Sequence, residues 1–137
     1  MKKIKAKNGE WVNLSNHLPT LTKVESKTFA IAVAKNVTIL KENLVHLEGV
    51  LMASPEFAEL SEKAKVYEGK TDKKSVAALK KLEKEYKDVI SDRQKQIDNV
   101  NLLLAKEIEI EIEPITNEMY PETINAEQIL GLTLLNP

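Results

Sequence analysis

The sequence predicts an α+β fold: a long antiparallel helical hairpin that carries a small sheet made by an N-terminal hairpin and a late Glu/Ile strand. Three observations predict it. Glu107-Ile108-Glu109-Ile110-Glu111-Ile112-Glu113 alternates strictly, so as a strand it puts isoleucines on one face and glutamates on the other. Lys3-Ile4-Lys5-Ala6-Lys7 alternates the same way with the opposite charge. Between them lie apolar residues at helical spacing. The two ends of the sequence are therefore expected to pair, with Ile4, Ile108, Ile110 and Ile112 against the helices.

The elements follow in order. Residues 2–12 predict a β-hairpin, because Asn8-Gly9 suits the positive φ of a tight type I′ turn and Trp11-Val12 would begin the return strand. Residues 13–21, with Leu14, Leu18 and Leu21 around Pro19, predict a short helical turn or irregular connector. Thr22-x-x-Glu25 is a capping-box pattern for a long helix that ends near Ala53. Ala30, Val33, Val37, Leu40, Leu44, Leu47 and Leu51 then step by three and four, a heptad seam. Ser54-Pro55 restarts a helix carrying Phe57, Leu60, Ala64 and Tyr67 on one face, and Glu68-Gly69-Lys70 breaks it. Asp72 caps a third helix over 73–106, striped by Val76, Leu79, Leu82, Tyr86, Val89/Ile90, Arg93, Ile97, Val100 and Leu104. Both long helices would span roughly 45 Å. In the seam, Leu44 and Leu47 are expected to pack near Val89 and Ile90. Pro114 ends the acidic strand, and Asn125-x-x-Gln128 caps a final short helix.

The 137 residues suit one domain, 1–137. Aromatics are 4% of the chain, so the core should be aliphatic. The net charge of −1 hides a gradient: +5 over residues 1–35, +1 over 36–106 and −7 over 107–137. That balance argues against general nucleic-acid binding or a charged membrane surface, and for head-to-tail attraction within or between subunits. Cysteine is absent, which excludes disulfides, thiolate catalysis and Cys-based zinc sites. No apolar run approaches the roughly 20 residues of a membrane span. The basic N-terminus lacks the apolar stretch of a signal peptide, so the expected location is the cytoplasm.

Few residues carry chemistry. Arg93 interrupts the apolar stripe of the third helix and is the candidate ligand-binding residue. Three uses stay open: an edge arginine whose head reaches water, a buried ion-pair partner that fixes register, or an anion-binding group. The four glutamates of 107–113 could hold a hard cation, but calcium takes about six to eight oxygens around one point. Alternate strand residues stand roughly 7 Å apart. Pairing with Lys3, Lys5 and Lys7 is the expected use, and no metal site is expected. His17 and His46 have no paired-ligand or nucleophile motif around them and are expected to serve as polar surface groups. The lysines of 70–87 are interleaved with Glu83, Glu85 and Asp88 as a solvated face. The N-x-S/T matches at Asn13 and Asn36 are expected to be chance. Two long seams with little to cover them favour a homo-oligomer.

The opening Asn8-Gly9-Glu10-Trp11-Val12-Asn13-Leu14 with Leu18 and Leu21 resembles the start of a family of small accessory proteins of tailed bacteriophages and prophages. So do Ala30-Ile31-Ala32-Val33-Ala34-Lys35-Asn36 opening the long helix, and the late Glu107-Ile108-Glu109-Ile110 strand before a capped terminal helix. The resemblance covers most of the chain and brings no functional residues or cofactor with it. It implies an accessory protein acting inside a bacterium. The expectation in that context is a non-enzymatic interaction protein that neutralises a host component, a defence factor or its nucleotide signal. The alternative is a structural or assembly protein of the virion. The expected partners are copies of the chain itself and a host protein or small anionic ligand.

Overall fold

The computed structural model describes residues 1–21 and 26–137. The fold is α+β: a largely helical chain with one small two-stranded antiparallel sheet among the described residues. The chain divides into two compact units, Met1–Glu48 with Leu103–Pro137, and Gly49–Leu102. One domain over 1–137 is expected from length, and of the two units the first is the one that joins residues distant along the chain.

The sheet of the first unit pairs β1 (Lys2–Lys7) with β2 (Glu107–Ile112), as the charge pattern predicts. Lys3 faces Glu111, Lys5 faces Glu109 and Lys7 faces Glu107, while Ile4 faces Ile110 and Ala6 faces Ile108. The apolar face is the inner one: Ala6, Ile110 and Ile112 are buried in a core with Trp11, Leu14, Leu18, Phe29 and Leu40. A one-residue slip would put all the isoleucines in water and the glutamates in that core, so burial fixes the register more firmly than charge does.

The expected return strand is not there. Asn8–His17 is helix α1, followed by a 3-10 turn at Leu18–Leu21. Asn8-Gly9 starts the helix, and the positive-φ glycines of the described chain are Gly49 and Gly69. Gly9 serves a close approach instead: a β-carbon there would stand 3.3 Å from the carbonyl oxygen of Leu104. Asn8 is fully buried, its backbone N–H donating to Lys106 and its Nδ2 to Leu103, each at 2.9 Å. Glu10 accepts the Lys7 N–H at 2.9 Å and so caps the helix entrance. Trp11, Leu14 and Leu18, at spacings of three and four, form the buried face.

The expected capping box at Thr22–Glu25 lies outside the described residues. Helix α2 runs Lys27–Asn43 with Ser26 as its N-cap. It is shorter than the seam suggested. Leu44 leaves helical geometry, a 3-10 turn follows at Val45–Leu47, and Gly49 takes a φ of 72°. At 17 residues, α2 spans about 25 Å, against the roughly 45 Å expected. Its fully inward line is Phe29, Ala32, Asn36 and Leu40, beside the seam expected from the sequence. Leu44 and Leu47 belong to the core of this first unit, with the sheet and α1, whereas the expected partners Val89 and Ile90 fall in the second unit. Past β2 come 3-10 turns at Asn117–Met119 and Thr133–Leu135, on either side of helix α6 (Ala126–Leu130). Asn125 and Gln128 cap α6 reciprocally, as the sequence indicates.

The second unit holds α3 (Pro55–Lys65), α4 (Lys73–Glu85) and most of α5 (Lys87–Ala105). The caps fall where expected. Ser54 Oγ accepts the Phe57 N–H at 3.2 Å, and Asp72 Oδ2 accepts the Ser75 N–H at 3.0 Å. The expected helix over 73–106 is two segments, broken at Tyr86 with φ −103° and ψ 23°. The antiparallel helical pair of this unit is α3 against α4 and α5: Phe57 lies under Arg93, and Lys63 reaches Tyr86.

Candidate functional site

An apolar concavity of the first unit is a groove between α1 and α2, about 330 Å³ in volume. Val12 of α1 and Pro19 form one wall; Val37, Leu40 and Leu44 of α2 with Leu47 form the other. Those four residues belong to the seam the sequence displays. The line Phe29–Ala32–Asn36–Leu40 turns to the core, which rotates Val37 toward solvent, where it is 39% exposed. Lys41 and Glu48 stand at the rim with Ser15 and Asn16. An open apolar trough with a polar rim can take an aliphatic or aromatic side chain of a partner.

A second concavity of about 370 Å³ lies between α1 and the C-terminal segment, beside His17 and the exposed Leu130. His17 is more than a surface group. Its Nε2 lies 3.1 Å from the Gln128 carbonyl oxygen, and its ring fills the space where a β-carbon on Gly131 would sit. The imidazole thus pins the C-terminal segment to α1. His46 is exposed on its 3-10 turn, as expected.

Arg93 is occupied within its own unit. Nη1 donates to the Leu51 carbonyl at 2.7 Å and to Gln96 Oε1 at 2.8 Å, and the guanidinium lies 5.4 Å from the centre of the Phe57 ring. Gln96 Nε2 donates to the carbonyls of Val50 and Met52, 2.9 Å each. Among the described residues no carboxylate lies within ion-pair distance of Arg93. Arg93 and Gln96 together satisfy three successive carbonyls after Gly49 and hold a turn from which Leu51 and Met52 project, 47% and 74% exposed. Gln96 carried no signal in the sequence, since a glutamine on a helix flank is ordinary.

Asn36 was missed as well. The sequence offers it only as a glycosylation match, yet its side chain is fully buried. Nδ2 donates to the carbonyls of Ala32 and Glu113 at 2.9 Å, and Oδ1 accepts the Glu113 N–H at 3.0 Å. The amide does for Glu113 what a neighbouring strand would do. A polar residue inside an apolar helix line was the available signal.

The shifted proton affinities belong to surface hydrogen bonds. The Tyr86 hydroxyl, then Glu59, hold the Lys63 ammonium well above its usual range. Ser75 at the helix cap holds the Asp72 carboxyl low, and the Glu118 carboxyl is lowered by its own backbone N–H and by Thr116. Among the described residues no group of three His, Cys, Asp or Glu is placed to hold a metal ion, and no helix is long and apolar enough to cross a membrane. Compared with protein-family models, curated proteins and solved structures, the chain matches none.

Proposed function

We propose that this chain is a non-enzymatic, phage-encoded interaction protein of the host bacterial cytoplasm, which binds and neutralises a host component. The observation that carries the reading is the α1–α2 groove, an open trough of about 330 Å³ walled by Val37, Leu40, Leu44 and Leu47. Its chemistry favours a host protein over a nucleotide signal. The rim cation Lys41 is offset by Glu48, so an anionic ligand gains little there, whereas an apolar side chain gains about 25 cal/mol for each Å² removed from water. Exposed aliphatic side chains elsewhere, with Met52, Leu102 and Leu130 at 73–74% exposure, favour a symmetric homo-oligomer as the acting form.

Expression in bacteria carrying different defence systems, scored for phage growth, tests the reading. Growth should be rescued against one system. Val37→Lys should abolish rescue while leaving the far-ultraviolet circular dichroism spectrum unchanged. Rescue that survives Val37→Lys removes the groove from the function. No rescue, together with abundance of the chain in purified particles by mass spectrometry, would instead establish a virion component. Sedimentation at two salt concentrations tests the oligomer, and a strictly monomeric species would refute it.

A further inference from the structure

The sheet has two strands, and its two edges differ. On the β2 side, Asn36 takes both backbone groups of Glu113 just past the strand. On the other side of β1 there is no strand among the described residues. The Lys7 N–H donates to Glu10 and so points away from β2. By the alternation of an antiparallel ladder, Lys3 and Lys5 then direct their N–H and C=O groups to the same outer side.

The side chains along that edge set what can join it. Lys3, Lys5 and Lys7 occupy the exposed face, and Ile4 and Ala6 the core face. Of the three lysines, Lys5 has a carboxylate within ion-pair distance, Glu107 at 3.5 Å; Lys3 and Lys7 have none among the described residues. A basic strand, or the β1 of a second copy, would set lysine against lysine and be repelled. A strand with carboxylates on the outer face and branched aliphatic residues on the inner would repeat the pairing already made with β2, and would cover the half-buried Ile4.

We propose that the outer edge of β1 takes up an extended acidic segment of another protein, with carboxylate and branched aliphatic residues alternating, as a third strand. This surface is separate from the α1–α2 groove and stands without it. Backbone pairing supplies the attachment, and Lys3 and Lys5 select the charge.

A fluorescein-labelled peptide copying Glu107–Glu113 is the probe, titrated against the 137-residue protein and followed by anisotropy. Saturable binding is expected, weakening as salt rises from about 50 to 300 mM. A peptide with lysine in place of glutamate should not bind, nor should one N-methylated at alternate amides, which keeps every charge and loses the ladder. Lys3→Glu should weaken binding about fivefold. On binding, hydrogen exchange at Lys3 and Lys5 should slow while β2 exchanges as before. Several results would overturn the proposal: no binding at about 1 mM peptide, a weakness beyond any specific contact; equal binding of the N-methylated peptide, which would mean charge attraction alone; or faster exchange in β2, which would mean displacement of the native strand. A peptide-free dimer that Lys3→Glu dissolves would assign the edge to a second copy instead.

Discussion

Residues Met1–Glu48 with Leu103–Pro137 bury Trp11, Phe29, Ile110, Ile112 and Leu135 to 1% exposure or less, whereas the aliphatic residues buried in Gly49–Leu102 are Leu60 at 7% and Val100 at 5%. The first unit is assembled from segments about a hundred residues apart and is held by a shared core. The second is held by local devices: the caps at Ser54 and Asp72, the Lys63–Glu59 and Lys65–Glu62 pairs along α3, and the Arg93 and Gln96 bonds to the turn after Gly49. Helix α4 has no fully buried residue, although its apolar stripe is regular in the sequence. Periodicity thus announces which face turns inward and leaves open how much will be covered. Local devices each contribute little and can open one at a time, so native-state hydrogen exchange should be lost first across 49–102.

The largest effect should come from the first unit. Trp11→Ala removes a fully buried indole from under the sheet and should cost about 3–5 kcal/mol in urea unfolding. Leu79→Ala, at a half-buried position of α4, should cost well under half of that. Equal costs would erase the contrast between the units. Next is Asn36→Leu, which keeps the volume and strips Glu113 of its partners. Each backbone group left unpaired should cost about 1–3 kcal/mol, although the substitution adds apolar surface to the core. A stabilised variant would mean that water satisfies Glu113.

Smaller effects probe the local devices. Arg93→Met should cost about 1 kcal/mol, since the guanidinium is partly exposed, and should speed exchange in the turn after Gly49 without touching the Ile110 amide. An exchange change confined to α5 would remove Arg93 from the role of holding that turn. Reversing Lys3 and Lys5 to Glu should destabilise the sheet, and adding Glu109→Lys and Glu111→Lys should restore part of the loss. The expected coupling is about 0.2–1 kcal/mol per pair, and a cycle with none would leave register to the isoleucines alone.

The last test is the gentlest. Asp72 titrates below its usual range because the folded cap favours the carboxylate, so its support of α4 is complete above the unfolded-state value. That support is lost as pH falls through the lowered folded value. The helical circular-dichroism signal should therefore drop on acidification in a step that Asp72→Asn lacks; an unchanged acid profile in that variant would exclude the cap as its source.

The sheet was legible because its two strands share a period and oppose in charge, and that pattern survives any arrangement of the helices between them. Caps were legible at Ser54-Pro55, Asp72 and Asn125 because they act within four residues. The Asn8-Gly9 turn misled because a glycine that permits positive φ equally permits close approach, and the helical spacing of Trp11, Leu14 and Leu18 outweighed the turn. The end of α2 was hidden because apolar residues continue through Leu44, Leu47 and Leu51 after the backbone has left the helix. Of the groove, the seam residues Val37, Leu40, Leu44 and Leu47 were visible, but their wall on α1 was not: the sequence reads Val12 as strand. Asn36 and Gln96 act across long separations that no local pattern records.

The long span of the β1–β2 pairing also bears on how the protein is made. β1 leaves the ribosome about a hundred residues before the strand that completes it, so Ile4 and Ala6 wait uncovered for roughly 5–20 s at ordinary elongation rates. During that interval the alternate lysines are a solubilising escort, keeping an unpaired strand from adhering to its neighbours on the same message. Synonymous changes that slow translation between codons 8 and 106 lengthen this exposure without altering a single residue.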